Sequence, residues 1–411
     1  MMKIDLDNLM EERGLDVLWV TGAAQHNPAM TYFTGLAHFT GDLIKKRNGE
    51  TIVFCNPMER EEAAKSGLKT ILQTKYSFKE ALEKMDGQRA KANAYRFQQM
   101  LTDVGVDSGR MAIYGRTSVG PVFDIFSALQ DLMPELEVTG DMGDAVLPAA
   151  MVTKDEVEME QMRAISKINM EVVSRVQDFI SRHTVKDEVL VKGDGTPLKI
   201  EEVKSKINLW LAELGAENPH GTIFAIGRDA GIPHSSGTPS DFLRLGQTIV
   251  FDIYPCQAGG GYHSDFTRTW CLGYASDEVF ALYEDVFNVF KKIMDSLKIE
   301  DECPQVQQLT CDLFAEKGHA TIDKDRTIQE GYVHSIGHGL GLNVHERPWF
   351  SSTAPTLDTL QPGMVFTVEP GLYYPSKGMG CRVEDAVYMN PEGSIEILTE
   401  YPYDLVVPVK G

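Results

Sequence analysis

The sequence contains no cysteine pair spaced C-x-x-C; its six cysteines (Cys55, Cys256, Cys271, Cys303, Cys311 and Cys381) are scattered. A disulfide framework and a zinc knuckle both need close, regular spacing, so neither is expected, and a reducing cytoplasm fits best. No apolar run approaches the roughly 20 residues needed to span a bilayer, so no membrane partner is expected. Residues Met1 to Asp16 alternate charged and apolar side chains without an apolar stretch, and are not read as a signal peptide. Basic residues are scarce: 39 Lys and Arg stand against 60 Asp and Glu, a formal net charge of −21. Phosphate contacts need a basic face, so nucleic acid is excluded as a partner. Most of the acidic excess is read as a solvated surface. Short-period repeats and low-complexity tracts are also absent.

What is present suits a folded protein of two domains: 411 residues, 43% apolar and 24% charged. Residues 1–150 read as a small α/β domain. Its expected strands are Asp16 to Val20, Thr51 to Cys55 and Met111 to Tyr114, with helical patterns at Glu59 to Ser66, Phe78 to Glu83 and Val119 to Leu132. His26 and His38 stand alone there and are read as loop or packing residues. A boundary is expected near Pro148 to Thr153, so that 151–411 forms the second domain. Lys154 to Arg182 has Val157, Met162, Ile165, Ile168, Val172, Val176 and Ile180 at helical spacing, and a second helix runs from Ile200 to Leu214. Strands are expected at Thr222 to Ile226, Thr248 to Tyr254, Phe266 to Leu272, Met364 to Glu369 and Arg382 to Met389. Helices at Asp277 to Leu297 and Pro304 to Lys317 separate the first three strands from the last two. Strands, then helices, then strands again predict an α/β (α+β) fold with an antiparallel or mixed sheet under helices.

Three segments of this second domain carry the chemistry. Thr248-Ile-Val-Phe-Asp252 is an apolar strand ending in a carboxylate; after Gly259-Gly-Gly261 the chain returns as His263-Ser-Asp265-Phe-Thr-Arg-Thr-Trp270. A reversal of this kind would bring Asp252 and Asp265 to one edge of the sheet. Two close carboxylates raise each other's pKa unless a cation neutralises them. In His334-Ser-Ile-Gly-His338-Gly-Leu-Gly-Leu-Asn-Val-His345-Glu346, three of the ten histidines fall within twelve positions. The glycines there predict a loop whose backbone approaches a site closely, and imidazoles suit transition metals and proton transfer. Phe366-Thr-Val-Glu369-Pro-Gly-Leu-Tyr and Cys381-Arg382-Val-Glu384-Asp each set a carboxylate inside an apolar strand, which is costly unless it is paired or metal-bound. Arg382, two residues before Glu384, leaves the same strand face, and the plain alternative is a structural Arg–Glu pair. Together, four carboxylates and one histidine suit two hard divalent cations. Two metals would bring +4 against −4 from the carboxylates and −1 from a bridging hydroxide, so the carboxylates could all stay ionised.

From about Thr153 to Val409 the sequence resembles the pita-bread metallopeptidase family, which includes aminopeptidase P, prolidase, methionine aminopeptidase and creatinase. The resemblance rests on His338-Gly-Leu-Gly-Leu-Asn-Val-His345-Glu346, then Glu369-Pro-Gly and Arg382-Val-Glu384-Asp, in that order. It implies a C-terminal pita-bread fold with a curved, mainly antiparallel sheet covered by helices. The first 150 residues resemble the smaller domain of aminopeptidase P, prolidase and creatinase, which methionine aminopeptidases generally lack. The implied activity is metal-dependent hydrolysis of the Xaa–Pro bond, on a proline-containing peptide, by a homodimer. Two divalent metals are implied, Mn first, with Co or Zn as alternatives. Asp252 would bind one metal, Asp265 and Glu384 would bridge both, and His338 and Glu369 would complete the other shell. His345 would hydrogen-bond the substrate carbonyl or the tetrahedral intermediate, His234 would face the substrate, and His334 would line the prolyl pocket. Arg382 would steady Glu384 or touch substrate. Creatinase lacks the metal ligands, whereas all five stand here, which favours the metal-dependent branch.

Two departures bear on the substrate. The Asp252 to Asp265 interval is thirteen residues, about two longer than the resemblance leads one to expect, and Tyr254 follows where a glycine is usual. His234 is followed by Ser-Ser instead of an aromatic. His263, within the lengthened connection, would either reach the cleft or face water. The competing readings are the same metal site acting on a non-prolyl amide or an organophosphate ester, and a non-catalytic binding protein on this fold.

Overall fold

The computed structural model describes residues 5–143 and 145–410. They form two compact units, one running to Met151 and including Gly259–Gly261, the other comprising Val152–Ala258 and Tyr262 onward. The first unit is built on a six-stranded sheet ordered Lys69–Leu72, Thr51–Cys55, Thr40–Lys46, Val17–Ala23, Gly109–Arg116, Leu136–Thr139. Helices Arg89–Asp103 and Val119–Leu132 contribute to its core, where Leu101, Phe126 and Leu129 meet Trp19 and Phe54. Thr40–Lys46 escapes a pattern search because two of its buried residues are polar. Asp42 accepts the indole N–H of Trp19 at 3.2 Å, and Lys45 Nζ lies 2.8 Å from Asp7.

In the second unit the expected elements stand within a few residues of their places. The long helix is Glu156–Ser181, opened by Asp155 in a reciprocal cap with Glu158. Its buried stripe includes Met159, Met162, Ile165, Val172, Val176 and Ile180, but Val157 is 60% exposed and Asn169 is buried instead. Asn169 Nδ2 donates to Ile253 O at 3.1 Å and Ser264 Oγ at 3.2 Å. The helix thereby holds the chain beside both Asp252 and Asp265.

The large sheet runs Thr222–Ile226, Thr248–Ile253, Phe266–Leu272, Glu384–Met389, Val365–Val368, His338–Gly339, Glu346–Trp349, with each neighbour antiparallel. Phe251, Ile253, Phe266 and Trp270 point to one side and pack with Val172, Ile180 and Leu211 of the helices. Full burial of side chains this size contributes about 1.5–3 kcal/mol each, which fixes the strand register. Because strand side chains alternate, that burial sends Asp252, Thr267 and Glu384 to the opposite face. Asp252 and Asp265 therefore come together over inner strands, not at an edge. Their connection is not a simple hairpin: Cys256–Gln257 pairs with Ala216–Glu217 on the way.

Two further expectations are corrected. His338 sits in a short strand between two others rather than in a loop. Arg382 to Met389 is not one strand: Met379–Arg382 pairs with Gly371–Tyr374, and Glu384–Met389 enters the large sheet after a break at Val383. No helix among the described residues is long and apolar enough to cross a membrane.

Candidate metal centre

Asp252, Thr267 and Glu384 stand in one row, because Asp252 pairs with Thr267 and Thr267 with Glu384. One position beyond these ladders, Tyr254 falls opposite Asp265 and Glu369 opposite Glu384. Ligand atoms of Asp265, His338 and Glu384 lie within 4.8 Å of one another. His338 Nε2 is 3.7 Å from Asp265 Oδ2 and 3.4 Å from Glu369 Oε1. Of the five expected ligands, Asp252 reaches this group through the row and the other four through direct proximity.

Burial and mutual repulsion set the electrostatics of the cluster. Burial, then the charges of Asp252 and Glu369, raise the Asp265 carboxyl well above its usual range. Burial, then Asp265, Glu369 and Asp252, does the same to Glu384. Burial pushes Glu369 up to about 7 despite the nearby Arg382. Asp252 is also raised by burial, although Arg382 opposes the shift. His338 is driven down to about 3, by burial first and then by His345, so its ring is neutral at pH 7.

Do these residues fit a cation? His338 Nδ1 lies 3.1 Å from Gly339 O, and a carbonyl only accepts, so Nδ1 carries the proton. The Nε2 lone pair then faces carboxylate oxygens, a repulsive arrangement that a cation between them would reverse. Asp252 Oδ1 is buried without a hydrogen-bond partner, a second sign that the site suits a cation. Carboxylate oxygens with one imidazole match a divalent transition metal. The residues fit.

Arg382 does not pair with Glu384. Its Nη2 lies 2.5 Å from Asp252 Oδ2, Nη1 donates to Tyr373 Oη at 2.7 Å and Pro233 O at 3.2 Å, and Nε donates to Thr267 Oγ1 at 3.2 Å. Glu384 instead accepts from Thr267 Oγ1 at 2.6 Å. His334 Nδ1 meets Ser335 O at 2.7 Å, so its Nε2 accepts from Tyr373 Oη at 2.9 Å. Burial, then Arg382, lowers the pKa of this ring to about 3. The His345 ring lies 4.3 Å from that of His338, nearly perpendicular, on the exposed side. His234 is exposed beside Pro233, and its charge acts on Asp252, His334 and His345.

The sequence pattern of metallopeptidase family M24 matches residues 160–391, more than half of the chain. The chain belongs to this family. It is thus a metallopeptidase, and the reading of a non-catalytic binding protein falls away. Among relatives of this M24 chain, a probable dipeptidase PepE of Mycobacterium tuberculosis (strain H37Rv) is 29% identical over 69% of this chain and 70% of its own length. An Xaa-Pro dipeptidase of Pyrococcus horikoshii is 34% identical, over 48% of this chain and 52% of its own. In structure, a dipeptidase from Pyrococcus horikoshii OT3 superposes with a TM-score of 0.74 at 22% identity, covering 99% of each chain. The prolidase from Pyrococcus furiosus gives 0.71 at 22% identity, covering 96% of this chain and 99% of its own. At that identity the likeness speaks for the pita-bread fold.

The M24 site also holds residues that pattern reading passed over. Tyr373 joins Arg382 to His334 and lies only four residues after Glu369, a signal available in hindsight. Tyr254 shares a strand face with Asp252, and its hydroxyl feels the charges of Asp252, Asp265 and Glu384. Thr267, an unremarked strand residue, is the hub between Arg382 and Glu384. His263 is buried and does not face water; its ring lies 6.0 Å from that of the exposed His220.

Proposed function

We propose that the protein hydrolyses the Xaa–Pro peptide bond, as a dipeptidase or aminopeptidase, using two divalent cations held by Asp252, Asp265, His338, Glu369 and Glu384. The observation that carries this reading is the neutral His338 Nε2 aimed at carboxylates that crowd one another. Its prolyl part is supported by relatives named Xaa-Pro dipeptidase, aligned over about half their length. Bound there, the cations would lower the pKa of water and polarise the scissile carbonyl. Mn is proposed first, with Co or Zn, since mixed carboxylate–imidazole shells accept all three.

The chain's own residues would do the rest. Arg382 holds Asp252 in place and, through Tyr373, fixes the tautomer of His334 on the wall of the site. His345 donates a hydrogen bond to the carbonyl oxygen as it gains charge; His345→Ala should cost about 10²–10³ in kcat. Glu369 passes a proton to the leaving nitrogen. His234, at the rim, contacts the substrate. A cytoplasmic setting is supported by six buried thiols without a disulfide, and a homodimer rests on family likeness alone.

A second reading, a dipeptidase without proline preference, is favoured by the longer alignment to a protein named simply as a probable dipeptidase. The deciding experiment is a panel of Xaa–Pro dipeptides, Xaa–Pro–Xaa tripeptides and proline-free dipeptides, with Mn, Co or Zn added. Release of free amino acids from the Xaa–Pro members alone is expected. Cleavage of the proline-free dipeptides as fast as the Xaa–Pro ones, or cleavage confined to them, would sink the prolyl reading and leave the metal site standing.

A further inference from the structure

We propose that Lys154 is a positioning residue for the reaction: it sets the turn that carries His345 against the strand that leads to Glu369. The inference rests on the reading in which His345 acts on the substrate. Lys154 is anchored twice. Its backbone N–H donates to Gly363 O at 2.7 Å, and Thr153 bridges Met364, just before the strand Val365–Val368 that Glu369 directly follows. Its side chain reaches 192 residues along the sequence to Glu346, with Nζ 2.6 Å from Oε1, and the two side chains are 1% and 6% exposed.

Glu346 directly follows His345 and folds beneath the turn that presents it. Its Oε2 accepts the N–H of Asn343 at 3.2 Å, and Gly339 pairs with Glu346 at the base. A Cβ added to Gly341 would lie 2.3 Å from Glu346 Oε1, so the carboxylate fills the space under the turn without slack. Gly341 O in turn accepts the N–H of His263 at 2.8 Å. A buried ion pair contributes little to stability compared with a well-packed apolar pair, and its attested use is to fix register. Here the register is that of His345 over His338. A shift of about 1 Å in a catalytic group can cost about 100-fold in rate.

The test compares Lys154→Met, the paired variant Lys154→Met/Glu346→Leu, and Lys154→Arg, each also in a His345→Ala background. The paired variant guards against misfolding of the single one, because no charge is left buried alone. Melting temperature, bound Mn, kcat and KM on the best dipeptide of the panel are measured, with 15N-histidine spectra of the metal-free protein. The expected result is a paired variant that keeps its melting temperature, its metal and its KM within about two-fold, while kcat falls about 10- to 100-fold. The His345 ring signal shifts, Lys154→Arg recovers part of kcat, and the loss vanishes in the His345→Ala background. An unchanged kcat in a folded variant, an equal loss with His345 absent, or loss of metal would each overturn the proposal. If His345→Ala alone keeps full activity, the role given to His345 fails, and the proposal with it.

Discussion

Arg382 and Asp252 divide the labour of one carboxylate: Nη2 of Arg382 holds Asp252 Oδ2 at 2.5 Å, while Oδ1 is buried with no partner. One oxygen is committed to a permanent cation, and the other is the atom the proposed metal would take. The consequence is visible across the cluster. Burial raises Asp252 against the opposing charge of Arg382, whereas Asp265 and Glu384, whose carboxyls have no guanidinium bonded to them, are raised by burial and by their neighbours' charges.

Arg382→Met leaves a buried carboxylate without its counter-charge and also frees Tyr373. The metal-free variant should lose about 3–5 kcal/mol of stability, read by denaturant unfolding in chelator. Arg382→Lys should recover little, because a single ammonium cannot reach Asp252, Thr267 and Tyr373 at once. Recovery to the original stability with lysine would show that charge alone matters.

The metal-free protein should become less stable as pH rises from about 6.5 through 7. A carboxyl whose pKa is raised by folding stabilises the protein at acid pH and loses that contribution as pH climbs through the folded value. Glu369, raised from 4.5 to about 7, gives up its contribution between those values, and Asp265 and Glu384 act with the same sign. His338 and His334, lowered to about 3, act oppositely, but their contribution is complete once pH passes the unfolded value near 6.5. The expected slope is on the order of 1 kcal/mol per pH unit and should flatten when Mn is added. Unfolding curves in chelator at several pH values, repeated with Mn, check it; a slope indifferent to metal would contradict the assignment.

Asp265→Ala and His338→Ala should each abolish tight metal binding and reduce activity by more than about 100-fold, the upper end of what outer-shell changes cost. Elemental analysis of the purified variants and their kcat/KM provide the check. Full metal content in either variant would mean that the cage has been misassigned.

Arg268 gives a comparable prediction for the far side of the sheet. Its guanidinium is buried between Phe266 and Tyr403, donates to Glu384 O at 2.7 Å and pairs with Asp385 at 3.0 Å. Arg268→Met strands the buried Asp385 and should cost about 3–5 kcal/mol. Mn affinity should fall as well, since the backbone of Glu384 loses its anchor; isothermal titration would detect that, and unchanged affinity would confine Arg268 to stability.

Much of this protein was determined by its sequence alone. Where apolar periodicity was strong, as in Glu156–Ser181, Ile200–Glu213 and Thr248–Ile253, the elements stand nearly where spacing put them, because burial of those faces dominates the local energetics. The candidate ligands were legible for a related reason: a carboxylate inside an apolar strand is costly, and its cost shows in one dimension. What only the tertiary structure decided is who neutralises whom. Thr40–Lys46 hid because Asp42 and Lys45 are buried against partners elsewhere in the chain. Arg382 passed over Glu384, its neighbour in sequence, for Asp252, 130 residues away. Lys154 took Glu346, and Tyr373 took His334 and Arg382. Charges and hydroxyls pair through space at about 3 Å, and no spacing rule along the chain encodes the strand register that brings them together.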